Sequence, residues 1–152
     1  MGRVTASATA SIDAPPERVL ELVRDYDARP KILTDNYTAT QVEAGDAGEG
    51  TIFAYHFAAG GRERDYRLRV EETADGLIER DELSSYVSTW TVKPSGSTGS
   101  QVTVEASWQG AGGIAGVFEG LFAPLGLRRI LTQVLANLGN AARNPAAGND
   151  NP

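Results

Sequence analysis

Few side chains in this sequence can do chemistry on a substrate. Cysteine is absent and histidine occurs once, at His56, which excludes thiol nucleophiles and disulfides and weakens any zinc cluster or histidine-based triad. Acids and phenols remain. In LIERDEL, residues 77–83, alternation puts Leu77, Glu79, Asp81 and Leu83 on one face and Ile78, Arg80 and Glu82 on the other. If the two leucines mark the buried face, Glu79 and Asp81 lie inside. Desolvation would then raise their pKa values and make them candidate proton donors or acceptors. The competing reading is a twisted edge or an ion pair to Arg67 or Arg69. Tyr55 and Tyr66 suit ligand orientation through a hydroxyl hydrogen bond better than nucleophilic attack, since no activating base is evident. His56 falls opposite Phe53 and Tyr55 in its strand and is expected outside. Asp25 and Asp27 read as a helix end. Arg62, Arg64, Arg67 and Arg69 read as a solvated sheet face neutralised by Glu63, Asp65 and Glu71. Neither a metal nor a cofactor is expected.

These residues sit on elements that the sequence marks out by period. From Val4 to Ile12, small apolar residues alternate with Ser and Thr, which predicts a half-buried strand. Pro15 and Pro16 stop it and suit the first turn of a helix, where a missing N–H costs little. Val19, Leu20, Val23 and Tyr26 then recur at helical spacing, which predicts an amphipathic helix to about Tyr26. A second, broken helical turn is expected in 27–33, around Pro30. Between Asn36 and Gln109, turn residues at Gly45–Gly48, Gly60-Gly61, Ala74–Gly76 and Ser95–Ser100 separate six short strands. Loops this short force antiparallel pairing. From Ile114 the period becomes 3.6, and Leu127, Ile130, Leu131, Val134 and Leu138 form the stripe of a long helix, with a kink or break between Ala123 and Leu127 at Pro124. Residues 144–152 read as a disordered tail following one domain, 1–143.

Composition narrows the function classes. A chain of 152 residues with 41% hydrophobic content suits one domain. Its 20 acidic against 14 basic residues, net −6, would repel phosphate backbones and anionic headgroups, so no nucleic-acid partner is expected. No apolar stretch approaches a membrane span and no secretory signal opens the chain, which leads to a cytoplasmic expectation, as monomer or homodimer.

Three stretches carry a resemblance over roughly residues 4 to 140: SIDAPPERVLELVRDYDARPKIL, GEGTIFAYHF and STWTVKPSGSTGSQVTVEASWQGAGG. Their order resembles the START-like (SRPBCC) superfamily of polyketide cyclase/dehydrase, Bet v 1-type and lipid-transfer proteins. The resemblance implies an α+β helix-grip fold: a curved seven-stranded antiparallel sheet around a long C-terminal helix, with two short helices after the first strand. It does not choose a reaction, because the superfamily houses carriers, cyclases, aromatases and interaction modules without a shared catalytic motif.

In such a fold, one sheet face and the helix enclose the ligand. Phe53, Tyr55 and Phe57 share a face, as do Tyr66, Leu68 and Val70, Trp90 with Val92, and Val102, Val104 and Ala106 with Trp108. The expected ligand-binding set is therefore Phe53, Tyr55, Phe57, Tyr66, Glu79, Asp81, Trp90 and Trp108. Phe118 and Phe122 are expected to belong to the same ligand-binding set and to close the mouth, with Gly112, Gly113, Gly116 and Gly120 leaving room near them. Three functions stay open: a binding or carrier protein for a lipid, isoprenoid or polyketide-like molecule; a cyclase, aromatase or dehydratase using cavity Tyr, Glu or Asp for proton transfer; and a protein-interaction module.

Overall fold

The computed structural model describes residues 3–45, 48–109 and 124–143. Strand β1 (Arg3–Ile12) follows the predicted alternation, burying Ala6, Ala8 and Ile12 while its Ser and Thr side face solvent. Helix α1 (Pro16–Val23) starts on Pro16, as the proline pair requires, and buries Val19 and Val23. It ends three residues before the expected Tyr26. The Val23 carbonyl, which has no partner within the helix, accepts a hydrogen bond from Arg29 Nη2 at 2.7 Å, and Arg24 reaches instead to the carbonyls of Thr73 and Gly76. The expected second turn of helix is a 3₁₀ turn, Arg29–Lys31.

Six strands follow: β2 (Tyr37–Ala44), β3 (Ile52–Ala59), β4 (Arg62–Thr73), β5 (Gly76–Asp81), β6 (Val87–Ser95) and β7 (Gly99–Gln109). Each pairs antiparallel with the next, and β1 closes against β7, so the sheet order is β1-β7-β6-β5-β4-β3-β2. A register shift between Thr38 and Gln41 bends β2, with Ala39 at φ +53°, a left-handed value unusual for alanine. Gly76 has a plainer reason for its identity: a Cβ there would stand 1.7 Å from the Trp90 carbonyl oxygen.

Helix α2 (Pro124–Arg143) lies against β1 and α1. It buries the predicted Leu127, Leu131, Val134 and Leu138, together with Leu135 and Ala142, whereas Ile130 is only half-buried. Asn137 ties it to the 3₁₀ turn by a 2.9 Å bond to the Ile32 carbonyl. The helix runs unbroken from Pro124 through Gly126. The rest of the expected kink, at Ala123, falls outside the described residues, as do Phe118, Phe122, Gly112, Gly113, Gly116, Gly120 and the tail at 144–152. Among the described residues, no helix is long and apolar enough to cross a membrane.

Candidate ligand site

Period-two alternation decides which side chains meet between sheet and helix. Phe53, Tyr55 and Phe57 of β3 are buried, as are Tyr66, Leu68 and Val70 of β4, and the register sets Tyr55 beside Tyr66 and Phe53 beside Leu68. Trp90 and Val92 of β6 and Val102, Val104, Ala106 and Trp108 of β7 continue the wall. All eight site residues expected within the described region are buried.

Two aromatics that alternation did not select complete the wall. Tyr37 opens β2 and sits 4.8 Å from Phe57 and 5.1 Å from Tyr55 between ring centroids; Tyr86, just before β6, stands 4.9 Å from Tyr66 and 6.3 Å from Trp108. With Tyr26, which touches Phe53 at 5.2 Å, all five tyrosines of the chain turn to the same interior.

Glu79 anchors the polar part of this interior. Leu77 fixes the inward face of β5 and is fully buried, with Glu79 and Asp81 beside it at 3% and 7% exposure. Leu83 does not help define that face: β5 ends at Asp81 and Leu83 is 55% exposed. Neither acid makes the ion pair to Arg67 or Arg69 weighed above. Glu82 takes both arginines on the outer surface, and Asp81 instead accepts the Arg67 backbone N–H at 2.8 Å and the Ser84 hydroxyl at 2.6 Å.

Glu79 pairs with Arg29 from the 3₁₀ turn, Nη1 to Oε2 at 2.9 Å; the same oxygen accepts the Tyr26 hydroxyl. Its Oε1 accepts Ser88 Oγ at 2.6 Å and Trp90 Nε1 at 3.0 Å. The Arg29 guanidinium also lies over the rings of Tyr26, at 4.3 Å, and Trp90, at 4.9 Å. Four donors therefore saturate one carboxylate.

The electrostatics reverse the sequence-based expectation. Burial does push the Glu79 carboxyl up, but the Arg29 charge and the Ser88, Tyr26 and Trp90 donors outweigh it and hold its pKa below the ordinary 4.5. Glu79 is an ion-paired anion here, not a carboxylic acid. The phenols move the other way: burial foremost raises Tyr26, Tyr37, Tyr55, Tyr66 and Tyr86, so all five stay protonated near neutrality.

His56 is outside, as its strand face requires, with Nδ1 2.7 Å from Asp65 and Nε2 2.6 Å from Glu63. Those two acids thus serve the histidine and not the arginine series, and Glu71 pairs with Arg80. Arg67 and Arg69 occupy the expected outer face, but Arg64 shares the inner face with Tyr66. Among the described residues, no group of three or more His, Asp or Glu side chains could hold a metal ion.

Among the described residues, two voids lie along the wall. One of about 20 Å³ is bordered by Arg29, Glu79, Ser88 and Trp90 on its polar side and by Tyr37 and Tyr55 on the other. The second, about 10 Å³, lies among Tyr37, Tyr55, Phe57, Tyr66, Tyr86 and Leu127. Each has room for about one water.

Comparison with known proteins agrees with this architecture. The KanY protein, solved by NMR, is 45% identical, with a TM-score of 0.84 over 94% of this chain and 99% of that one. A crystal structure from Thermus thermophilus shares 19% identity at a TM-score of 0.74, covering 97% of this chain and 100% of that one. Norcoclaurine synthase from Thalictrum flavum, in complex with dopamine and hydroxybenzaldehyde, shares 16% at 0.65, covering 99% and 90%. The last two likenesses concern the fold alone. No curated protein sequence matches the chain. The family model for polyketide cyclase / dehydrase and lipid transport matches residues 3–143, from the first described residue to the last, and the chain belongs to that family.

Proposed function

We propose that this protein binds a hydrophobic small molecule, a lipid, isoprenoid or polyketide-like compound, between the aromatic wall and α2. The observation that carries the reading is the convergence of Phe53, Tyr55, Phe57, Tyr66, Trp90 and Trp108 on one interior in which the Arg29 charge is paired with Glu79. Such an interior offers apolar area and ring faces, with a few polar groups to orient what enters. The hydroxyls of Tyr37, Tyr55 and Tyr66 have no hydrogen-bond partner among the described residues, so they are free to meet a ligand oxygen. At the two water-sized voids, a ligand gains its space by parting these rings.

Binding fits this site better than proton transfer through Glu79. A general acid must hold a proton near neutral pH and a general base needs a free lone pair directed at substrate. Glu79 has a lowered pKa and two donors on each oxygen.

Native mass spectrometry of the purified protein, with fluorescence titration by the apolar dye N-phenyl-1-naphthylamine, tests the reading. A co-purifying apolar molecule, or saturable dye binding weakened about tenfold by Trp90→Leu, supports it. A ligand-free mass together with no saturable dye binding overturns it.

A further inference from the structure

One cation on the inner face is left without a counterion. Among the described residues, the arginines and lysines that lack a carboxylate partner are Arg3, Lys31, Arg62, Arg64, Arg128, Arg129 and Arg143. All but Arg64 are exposed. Arg64 is half-buried, its guanidinium lies over the Tyr66 ring at 5.2 Å, and its Nε is shielded from solvent without an acceptor. That ring also stacks on Tyr55 at 5.2 Å. Arg64 also pairs in register with Phe57, so it stands at the β3–β4 hairpin end of the aromatic wall.

The other inward cation, Arg29, is neutralised by Glu79, which lies opposite Val70. Val70 is six residues along β4 from Arg64, roughly 20 Å at the rise of an extended strand. The interior therefore runs from a neutral ion pair at Glu79, past the Asp81 carboxylate, which is held by the Arg67 N–H and the Ser84 hydroxyl, and the aromatic rings, to a positive charge at Arg64 that no carboxylate pairs with.

We propose that Arg64 receives the anionic head of the ligand, so that the site selects amphipathic acids, apolar bodies ending in a carboxylate or sulfonate-like group. Resting on the carrier reading above, the proposal adds the ligand's charge and orientation. Because Arg64 is only half-buried, the head keeps part of its hydration while the body lies against Tyr66 and Tyr55. A planar guanidinium suits this task, as it can stack on a ring and donate to two oxygens together. The net charge of −6 makes the preference diagnostic, since the protein's overall field opposes an anion.

The test compares two dyes of one skeleton: 1-anilinonaphthalene-8-sulfonate, which is anionic, and neutral N-phenyl-1-naphthylamine. Each is titrated by fluorescence into the wild type, Arg64→Gln and Arg64→Lys, with circular dichroism checking the fold. We expect Arg64→Gln to weaken the sulfonate dye about tenfold and the neutral dye less than twofold, with Arg64→Lys recovering part of the loss. Added salt should change the affinity of the sulfonate dye but not that of the neutral dye in the wild type, a readout that holds even if a variant fails to fold. Equal losses for both dyes, or a salt-independent wild type, overturn the Arg64 assignment and leave the carrier reading standing. Failure of both dyes to bind the wild type overturns both.

Discussion

Arg29 and Glu79 meet at 2.9 Å with each side chain only 3% exposed, joining the 3₁₀ turn after α1 to the inner face of β5. The same guanidinium closes the end of α1 through the Val23 carbonyl, so one side chain holds helix end, turn and sheet together. A buried pair of this kind contributes little beyond its desolvation cost while intact, but removing one partner strands the other charge.

Glu79→Gln should therefore destabilise the protein by about 3 kcal/mol, and Arg29→Met with Glu79→Leu together should cost less than Glu79→Gln alone. Urea unfolding of the three proteins checks this. Equal losses for the single and double variants would mean that the donors on Glu79, not the pair, carry the effect.

Acid should weaken the same linkage. Because the folded pKa of Glu79 lies below 4.5, the unfolded chain takes up that proton more readily. The Glu79 contribution is thus full above the unfolded value and is lost as pH falls through the lower folded one. Urea midpoints from pH 7 down to 3 should drop on the acid side, with a shallower drop in Glu79→Gln. Parallel curves would assign the acid loss to other carboxylates.

How much of this site the sequence discloses depends on whether a residue lies in a periodic element. Phe53, Tyr55, Phe57 and Tyr66 are legible because β3 and β4 alternate cleanly, and Ser88 could have been placed inside by its spacing of two from Trp90. Arg64 obeys the same alternation as Tyr66, but the run of alternating charges along β4 makes it look like part of the outer stripe. Arg29 was not legible: it lies in a three-residue turn with no period, and its partner is fifty positions away. Tyr37 and Tyr86 escape for related reasons, one at the start of the bent strand β2 and the other in the loop before β6. The direction of the Glu79 pKa is not legible either, because the pattern discloses burial but not the four donors.

Backbone closeness gives a prediction independent of charge. Gly76→Ala would drive a Cβ to 1.7 Å from the Trp90 carbonyl, and a backbone atom cannot swing aside as a side chain does. We expect a loss of at least about 2 kcal/mol, with faster amide exchange in β5 and β6 and a shifted Trp90 emission. A loss within 0.5 kcal/mol, roughly that of an inert surface change, would show that the β5–β6 pairing slides to accept the methyl.

The outer face offers a control for everything assigned to the inner one. His56 sits between Asp65 at 2.7 Å and Glu63 at 2.6 Å, and these two hydrogen-bonded acids, Asp65 foremost, raise its pKa above 6.5. Its protonated form is favoured by folding, so any stabilisation is present below 6.5 and is lost as pH rises through the folded midpoint. An NMR titration of the ring proton should give a midpoint above 6.5 that Asp65→Asn moves back down. Because His56 points away from Tyr55 and Tyr66, affinity for the neutral dye should stay constant across that same titration. If binding instead follows the His56 midpoint, protonation on the outer face is coupled through β3 to the aromatic wall, and the two faces cannot be treated as independent.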